Sequence, residues 1–492
     1  MIKLYTHPDY HKKAKQWTAW RDLYEGDHEV LRGVEYLWMH ELEDEQRSLG
    51  KDGSKLRAIR EQRSRYLNLM EPIVSRWLSF IFRRAVIIPE SIKAILGDEI
   101  KDINGQGIGL DTFIREIVGK HYILYGRPII QVDTSAAYAR TLAEAKVVGS
   151  RPFMNIIHPL ELQDWQLSDS TGRVGAFDFT RTEYKILEPR QTSRQEPTIR
   201  TYSREMILSQ GTYQSIIYRA KSEDKQGKDR EWEVLSELSL PGFEKLPISW
   251  INGESYVKDS AEMQLLTYNY MSAESTQLNS QAFQRIFISG ALDEASKPLI
   301  GEYLFNFLAQ DSVIQTIEPS NTEPIRSAIE TSIDRCFKVS FNEINGLASD
   351  SKESPGSETR KEMKDEFIAL VQTSISEVED LVNQALEQYL RFKDKTFSEG
   401  IKLDKNITED DITQEIAIWQ AHIDSFKQVS RLYKGVLKKH SAVFGLPDQE
   451  EIDKEIEALP SNATEQAQDT KANLLTQVLG DNGDAGTQPK QA

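Results

Sequence analysis

Two segments in the second half of the chain carry apolar residues at the spacing of one helix face. The first opens at Glu323-Pro324 and repeats an apolar residue every four positions, and the second runs from about Thr359 to Phe392 in steps of three and four. These steps predict two amphipathic helices. Residues 346–358 between them are small and polar, with Gly and Pro, so neither helix is expected to continue through them. The apolar positions are Ile325, Ile329, Ile333, Phe337 and Phe341, and then Val371, Ile375, Val378, Val382, Ala385 and Tyr389.

Similar patterns predict helices earlier in the chain, with a β-rich region among them. Short apolar runs separated by charged turns predict strands between residues 127 and 250. Asp164-Trp165 is expected in a connection rather than in a strand. The predicted helices cover residues 1–45 (with a turn at Gly26-Asp27), 66–82, 110–125, 256–288 and 407–440, and the strands cover 129–133, 153–157, 177–180, 198–202, 213–218 and 232–234.

Residues 47–65 are strongly basic, with seven Lys and Arg side chains. Two interpretations remain open. The segment is either a solvated helix face or a contact with an acidic neighbour, which would be nucleic acid or the acidic part of a sister subunit.

A glycine-rich run at residues 104–109 resembles a phosphate-binding loop only superficially. It lacks the Lys-Ser/Thr of a Walker motif and the spacing of a dinucleotide fingerprint. The sequence therefore predicts a turn before a helix that is capped near Asp111 or Thr112.

Composition and charge narrow the class of protein. A chain of 492 residues with 39% apolar and 28% charged residues can bury a large core in two or more lobes. No apolar run approaches the roughly 20 residues of a membrane span, and the start lacks a signal-peptide pattern. The net charge of −17 argues against broad wrapping of nucleic acid, but it suits a surface that DNA must slide past without sticking.

The sequence carries no recognisable catalytic motif. There is no nucleophile elbow, no His-Glu-x-x-His, no Walker pair and no kinase set. The eight histidines are scattered and are expected at the solvated surface. The single cysteine, Cys336, lies among apolar residues and is expected to be a packed thiol. We therefore expect no enzymatic activity, no cofactor and no metal site.

The order of these segments resembles that of tailed-bacteriophage portal proteins over nearly the full chain. The individual motifs are loose, and their order and spacing carry the resemblance. The matching segments are KQWTAWRDLYEGDHEVLRGVEYL (15–37), RYLNLMEPIVSRWLSFIFRRAVIIP (65–89), YILYGRPIIQVD (122–133), SYVKDSAEMQLLTYNYMSAESTQLNSQAFQRIFISG (255–290) and ASDSKESPGSETRKEMKDEFIALVQTSISEVEDLVNQALEQYL (348–390).

The resemblance implies an α+β, mostly helical subunit with wing, stem, clip and crown regions. The β-rich segment 127–250 would belong to the wing. The implied regions are a wing at 1–254, a stem helix at 255–288, a clip at 289–322, a second stem helix at 323–345, a tunnel loop at 346–358, a long wing helix at 359–400, a crown at 401–460 and a disordered tail at 461–492.

The resemblance also implies a function and its partners. Portal proteins form a dodecameric ring, the head-to-tail connector, at one capsid vertex. Double-stranded DNA enters through this ring during packaging and leaves through it during genome ejection. The implied partners are the terminase large subunit, head-completion or adaptor proteins, and the major capsid and scaffolding proteins, with no membrane. The implied location is the virion, after synthesis in the host cytoplasm.

Candidate functional residues follow from these regions. In the tunnel loop, Lys352 is the only basic side chain, so Lys352, Ser354 and Ser357 are expected near DNA phosphates, with Glu353 preventing tight binding. The alternative is a surface loop with no role in nucleic-acid binding. On the second stem helix, Glu330, Asp334 and Lys338 form one polar stripe that faces either the channel or a neighbouring subunit.

The predicted helix at 256–288 supports assembly, because its few charges suit burial between subunits. Two other classes of protein remain as alternatives. One is a virion structural or adaptor protein without an axial DNA channel, and the other is an enzyme built from unrecognised carboxylates.

Overall fold

The structure is a computed structural model that describes residues 2–40, 43, 53–134, 151–168, 174–188, 198–221, 230–282, 286–289, 313–316, 321–340 and 357–407. The chain divides into two compact units. The first comprises Met1–Ser275 and Glu323–Ile423, and the second comprises Thr276–Thr322 and Asp424–Ala492. The predicted helix at 407–440 and the predicted tail at 461–492 lie outside the described residues, apart from the very start of that helix.

The fold is a mixture of helices and antiparallel sheets, about half helical. This confirms the α+β class. The helices are α1 (Pro8–Glu25), α2 (His28–Leu31), α3 (Gly53–Arg63), α4 (Met70–Ile81), α5 (Glu90–Leu96), α6 (Leu110–Thr112), α7 (Gly119–Tyr125), α8 (Lys258–Ala282), α9 (Glu323–Ser340) and α10 (Ser357–Arg391), with a 3-10 turn at Gly97–Lys101 and a π-helical turn at Phe113–Val118.

The first unit contains two antiparallel sheets, one of four strands and one of five. Their orders are β2-β1-β9-β4 and β3-β5-β6-β7-β8. The second unit contains the antiparallel ribbon β10-β11. The strands are β1 (Ile129–Thr134), β2 (Pro152–Ile156), β3 (Leu162–Leu167), β4 (Val174–Gly175), β5 (Phe177–Leu187), β6 (Ile199–Ser209), β7 (Thr212–Ala220), β8 (Trp232–Pro241), β9 (Ile248–Ile251), β10 (Ile286–Ser289) and β11 (Val313–Thr316).

The N-terminal residues tie the five-stranded sheet to α1. Ile2 forms a bridge with Trp232 of β8, and the guanidinium of Arg181 in β5 donates 2.6 Å to the Tyr5 carbonyl. The His7 amide then donates 2.8 Å to Gln163 in β3, and the His7 ring accepts from the Asp9 amide at the start of α1. This cap fixes where the chain changes from extended segment to helix.

The helix α10 buries the apolar stripe that its sequence predicts. Its residues Val371, Ile375, Val378 and Val382 are completely inaccessible to solvent. The helix packs against β1, β9 and α4. Burying each such side chain contributes about 1.5–3 kcal/mol, so α10 is a main source of core stability in the first unit.

Gly126 lies between α7 and β1, at a position that requires glycine. Gly126 adopts a left-handed conformation with φ of 64° and ends α7. A Cβ atom at this position would lie 2.3 Å from the backbone carbonyl of Glu254. The tight approach brings the start of β1 against the segment that leads into α8.

The structure corrects three predictions, which concern a helix end, a strand and a helix cap. The long helix ends at Ala282 rather than at 288, because Ile286–Ser289 pairs as β10 with β11; alternating β-branched and aromatic residues favour a strand there. Asp164-Trp165 lies inside β3 rather than in a connection. The cap of α6 is Gly109, and no side chain caps it, while Asp111 accepts a bond from the Val86 amide instead.

Candidate functional site

Helices α8 and α9 pack side by side in opposite directions. Ser260 pairs with Ser340, the Thr267 hydroxyl donates 3.0 Å to Ser332, and Arg326 donates 3.0 Å to the Glu274 carboxylate. Residue numbers rise along α8 as they fall along α9, so the pair is antiparallel. The contacts on α8 recur every seven residues, which is two helix turns.

Small polar side chains form the centre of this seam. The Ser260 hydroxyl donates 2.7 Å to the Cys336 carbonyl, and the Cys336 thiol donates 3.3 Å to the Ser260 carbonyl. Ser260, Thr267, Ser332 and Cys336 are all buried. Burial raises the pKa of the Cys336 thiol. The prediction of a packed thiol is therefore confirmed.

Other polar residues of α8 contact the N-terminal segment of the same chain. The Gln264 side chain accepts 2.7 Å from the Leu69 amide and donates 2.8 Å to the Leu67 carbonyl. Asn269 makes the same paired contact with the Trp38 amide and the Tyr36 carbonyl. Gln264 and Asn269 of α8 thus have partners within one chain. Burial between subunits is therefore not needed to explain Gln264 and Asn269. The predicted assembly stays a prediction.

The basic segment around α3 also finds its partner within the chain. Two guanidinium nitrogens of Arg60 donate 2.6 and 2.8 Å to the two oxygens of Glu43, and both side chains are 5% exposed. Burial opposes ionisation of Glu43, but hydrogen bonding and charge from Arg60 hold its pKa below the ordinary value. Arg63 and Arg65 are exposed. The solvated-face interpretation therefore fails for Arg60, whereas both interpretations stay open for Arg63 and Arg65.

The predicted polar stripe of α9 lies away from the α8 seam. Glu330 and Asp334 are half-buried and Lys338 is exposed. Successive steps of four residues place the three side chains on one face of the helix, whereas the contacts with α8 come from Ser332, Cys336 and Ser340. The structure thus brings the stripe together on the helix side that does not face α8.

The predicted tunnel loop lies outside the described residues. This applies to Lys352, Glu353 and Ser354, whereas Ser357 is the first residue of α10 and its side chain is not described. The described chain stops at Ser340 on α9 and resumes at Ser357 on α10, so the loop prediction stays a prediction.

Two features were not predicted from the sequence, namely a buried arginine and a pair of half-buried histidines. The guanidinium carbon of Arg127 lies 5.1–5.6 Å from the ring centres of three tryptophans. His121 and His158 face each other at a ring distance of 5.7 Å, contrary to the expectation that the histidines are solvated. The one available signal was the run Gly126-Arg127-Pro128, which places a cation between a helix and a strand that are both apolar.

The two histidines are held as neutral rings. The Leu160 amide donates 3.1 Å to His158 Nδ1, and His158 Nε2 lies 2.8 Å from the Tyr125 hydroxyl. Nδ1 therefore accepts, and Nε2 carries the proton. Burial, and then the charge of neighbouring His121, Arg21 and Lys120, lowers the pKa of His158 to about 3. Burial lowers the pKa of His121 to about 4.

Neither a protein-family model nor a curated protein sequence matches the chain. Within the described ranges, no three His, Cys, Asp or Glu side chains are grouped so as to bind a metal ion. None of the helices in the described part of the chain combines the length and apolar character needed to cross a lipid bilayer.

Proposed function

We propose that the chain is a portal-type subunit that assembles into a ring at a capsid vertex and forms the channel for double-stranded DNA. The observation that carries the proposal is the antiparallel pair α8 and α9, with the ribbon β10-β11 inserted between them in the chain. The 35-residue helix α10 follows after residues 341–356. The portal resemblance implies a helix, an inserted clip, a returning helix, a polar loop and a long helix in this order, and the observed elements follow that order in the chain.

In this proposal the regions take the roles implied by the resemblance. The two sheets and helices α1–α7 form the wing, joined by α10. The helices α8 and α9 form the stem, and residues 283–322 form the clip, which begins earlier than the sequence suggested because α8 ends at Ala282. Residues 341–356 contain the tunnel loop, and the crown follows residue 401.

The mechanism is a passive channel, with no catalytic step in the subunit. A net charge of −17 in each subunit gives an acidic ring that repels the phosphate backbone. Lys352 supplies a transient phosphate contact and Glu353 limits its strength. The terminase large subunit docks on the clip and supplies the energy for packaging, and head-completion proteins replace it later. Capsid and scaffolding proteins contact the wing, which places the ring in the virion.

Two measurements test this proposal. Light scattering of the purified protein is expected to give a species near twelve times the chain mass of 56.3 kDa. A monomer at every salt and protein concentration would count against a ring.

The second test replaces Lys352 by Glu. Ring formation is expected to be unchanged, while DNA packaging or retention is altered, because the only basic side chain of the loop becomes acidic. Lys101→Glu is the matched control, since Lys101 is 79% exposed and lies outside the loop. Equal packaging by the two variants would remove the role assigned to Lys352.

The second candidate is a virion structural or adaptor protein without an axial channel. The observation that favours it is the pairing of α8 with residues of its own chain, which makes a neighbouring subunit unnecessary for burying this helix. It predicts a particle with no central hole.

A further inference from the structure

Arg127 is a buried cation held by aromatic rings and one amide. It begins the turn into β1, and only 5% of its surface is exposed. Its guanidinium carbon lies 5.2 Å from the ring centre of Trp17, 5.6 Å from Trp165 and 5.1 Å from Trp250. Its Nη2 donates to the side-chain oxygen of Asn252. These contacts stabilise the flat cation, but none of them carries a negative charge.

The charges around Arg127 do not neutralise it. No ion pair of Arg127 occurs among the described residues, and burial lowers its pKa to about 10, opposed by the negative charge of Asp9. Lys13 lies close enough that, after burial, the charge of Arg127 further lowers the pKa of its amine. A buried charge without a direct counter-charge is costly. Asp9 and Glu254 are the nearby negative charges, and both raise the pKa of Lys13, but neither forms an ion pair with Arg127 among the described residues.

Two hydrogen-bond donors at this place lack an acceptor. Both Arg127 Nη1 and Trp250 Nε1 are buried and have no hydrogen-bond partner among the residues that the structure describes. Trp250 is 2% exposed, and its ring is one of the three that pack on the guanidinium. Neither group can accept a hydrogen bond. Together they require an acceptor.

A second arginine and tryptophan pair in the first unit has the carboxylate that the Arg127 centre lacks. The guanidinium carbon of Arg230 lies 5.5 Å from the ring centre of Trp232. Arg230 also forms an ion pair with Glu183. The Arg127 centre has the same cation and ring but no carboxylate.

We propose that Arg127 Nη1 and Trp250 Nε1 bind a small monovalent anion of the halide class. A bound water would satisfy the donors but would leave the Arg127 guanidinium without an anion in direct contact. The depth of burial favours a small anion, because phosphate or sulfate would bring a second charge and more oxygens than these donors can satisfy. The half-exposed Lys13 marks the side from which the anion enters.

The anion would hold three parts of the first unit together. Trp17 belongs to α1, Trp165 to β3 and Trp250 to β9, and all three rings contact Arg127. Neutralising the guanidinium charge would remove the free-energy cost of burying Arg127 where α1, β3 and β9 meet. This inference does not depend on the proposed portal function, since every residue involved lies within one chain.

The test is chloride binding to the purified full-length protein at constant ionic strength, with gluconate as the replacing anion. The chloride NMR line width is expected to show saturable broadening, and the unfolding temperature is expected to be higher in chloride than in gluconate. Trp250→Phe keeps the ring and removes the donor. It is expected to weaken chloride binding about tenfold or more, because hydrogen bonds to charged groups contribute about 1.5–3 kcal/mol.

Trp232→Phe is the matched control, because it alters the arginine and tryptophan pair that already has a carboxylate. It is expected to leave chloride affinity unchanged. Broadening that never saturates, or equal affinity in the wild type and Trp250→Phe, would overturn the proposal. Equal losses in the two variants would also overturn it, because the effect would then be general to loss of an indole.

Discussion

The buried pair of Arg60 and Glu43 allows a quantitative test of how the basic segment is used. Both oxygens of Glu43 accept from Arg60 at 2.6 and 2.8 Å, and each side chain is 5% exposed. Arg60→Met leaves the carboxylate buried without this partner. Breaking a buried pair in this way costs about 3–5 kcal/mol. We expect the free energy of unfolding to fall by that amount.

The assay is guanidinium unfolding followed by circular dichroism at one fixed protein concentration, because assembly would make the midpoint concentration-dependent. Arg63→Met is the control, since Arg63 is exposed, and it should change stability by less than about 0.5 kcal/mol. The double variant Arg60→Met with Glu43→Leu should recover most of the loss, because apolar replacement of a buried pair is often neutral. If Arg60→Met costs no more than Arg63→Met, the intrachain pairing is wrong, and a partner outside the chain becomes the better explanation of this segment.

Three further predictions concern the first unit. Gly126→Ala should destabilise it strongly, by roughly 3 kcal/mol or more in thermal or denaturant unfolding, because a Cβ would lie 2.3 Å from the Glu254 carbonyl at φ of 64°. The pKa of His121 is lowered to about 4, so its contribution to stability is present above about pH 6.5 and is lost as the pH falls toward 4. That loss of unfolding free energy is at most about 3 kcal/mol, because His121 is partly exposed to solvent. The lowered pKa of His158 changes stability in the same direction. The assignment would be contradicted if replacing both histidines left the pH dependence of unfolding unchanged. Cys336 should resist alkylation in the native protein and react on unfolding, because its thiol is completely buried; rapid modification of the folded protein would refute this.

Periodicity predicted the elements well where one face of an element is apolar. The stripe of α10 is observed as predicted, from Val371 through Tyr389, because a helix that packs on a sheet must present such a stripe. Strands β1, β2 and β5–β8 were predicted for the same reason, whereas β3, β4 and β9 were not. Strands β5 and β6 are each 11 residues long and extend beyond the predicted runs. The outer ends of β5 and β6 carry exposed residues, so the alternation of apolar and polar residues does not indicate a strand there.

Periodicity failed where polar side chains do the packing. The helix α8 is held by Ser260, Gln264, Thr267 and Asn269, whose partners come from distant parts of the chain. Hydropathy cannot distinguish such residues from solvated ones, and the sequence therefore suggested a neighbouring subunit as their partner. The burial of Arg127 was hidden in the same way, because three tryptophans that are far apart in sequence surround it.

The central claim is that copies of this chain close around a channel that DNA passes through. The most direct test is a cryo-electron microscopy reconstruction of the purified full-length protein. The account predicts a ring in which α8 and α9 form the stem and the residues between Ser340 and Ser357 line an axial opening wide enough for duplex DNA. A particle without a central opening, or a ring with those residues on its outer edge, would contradict it.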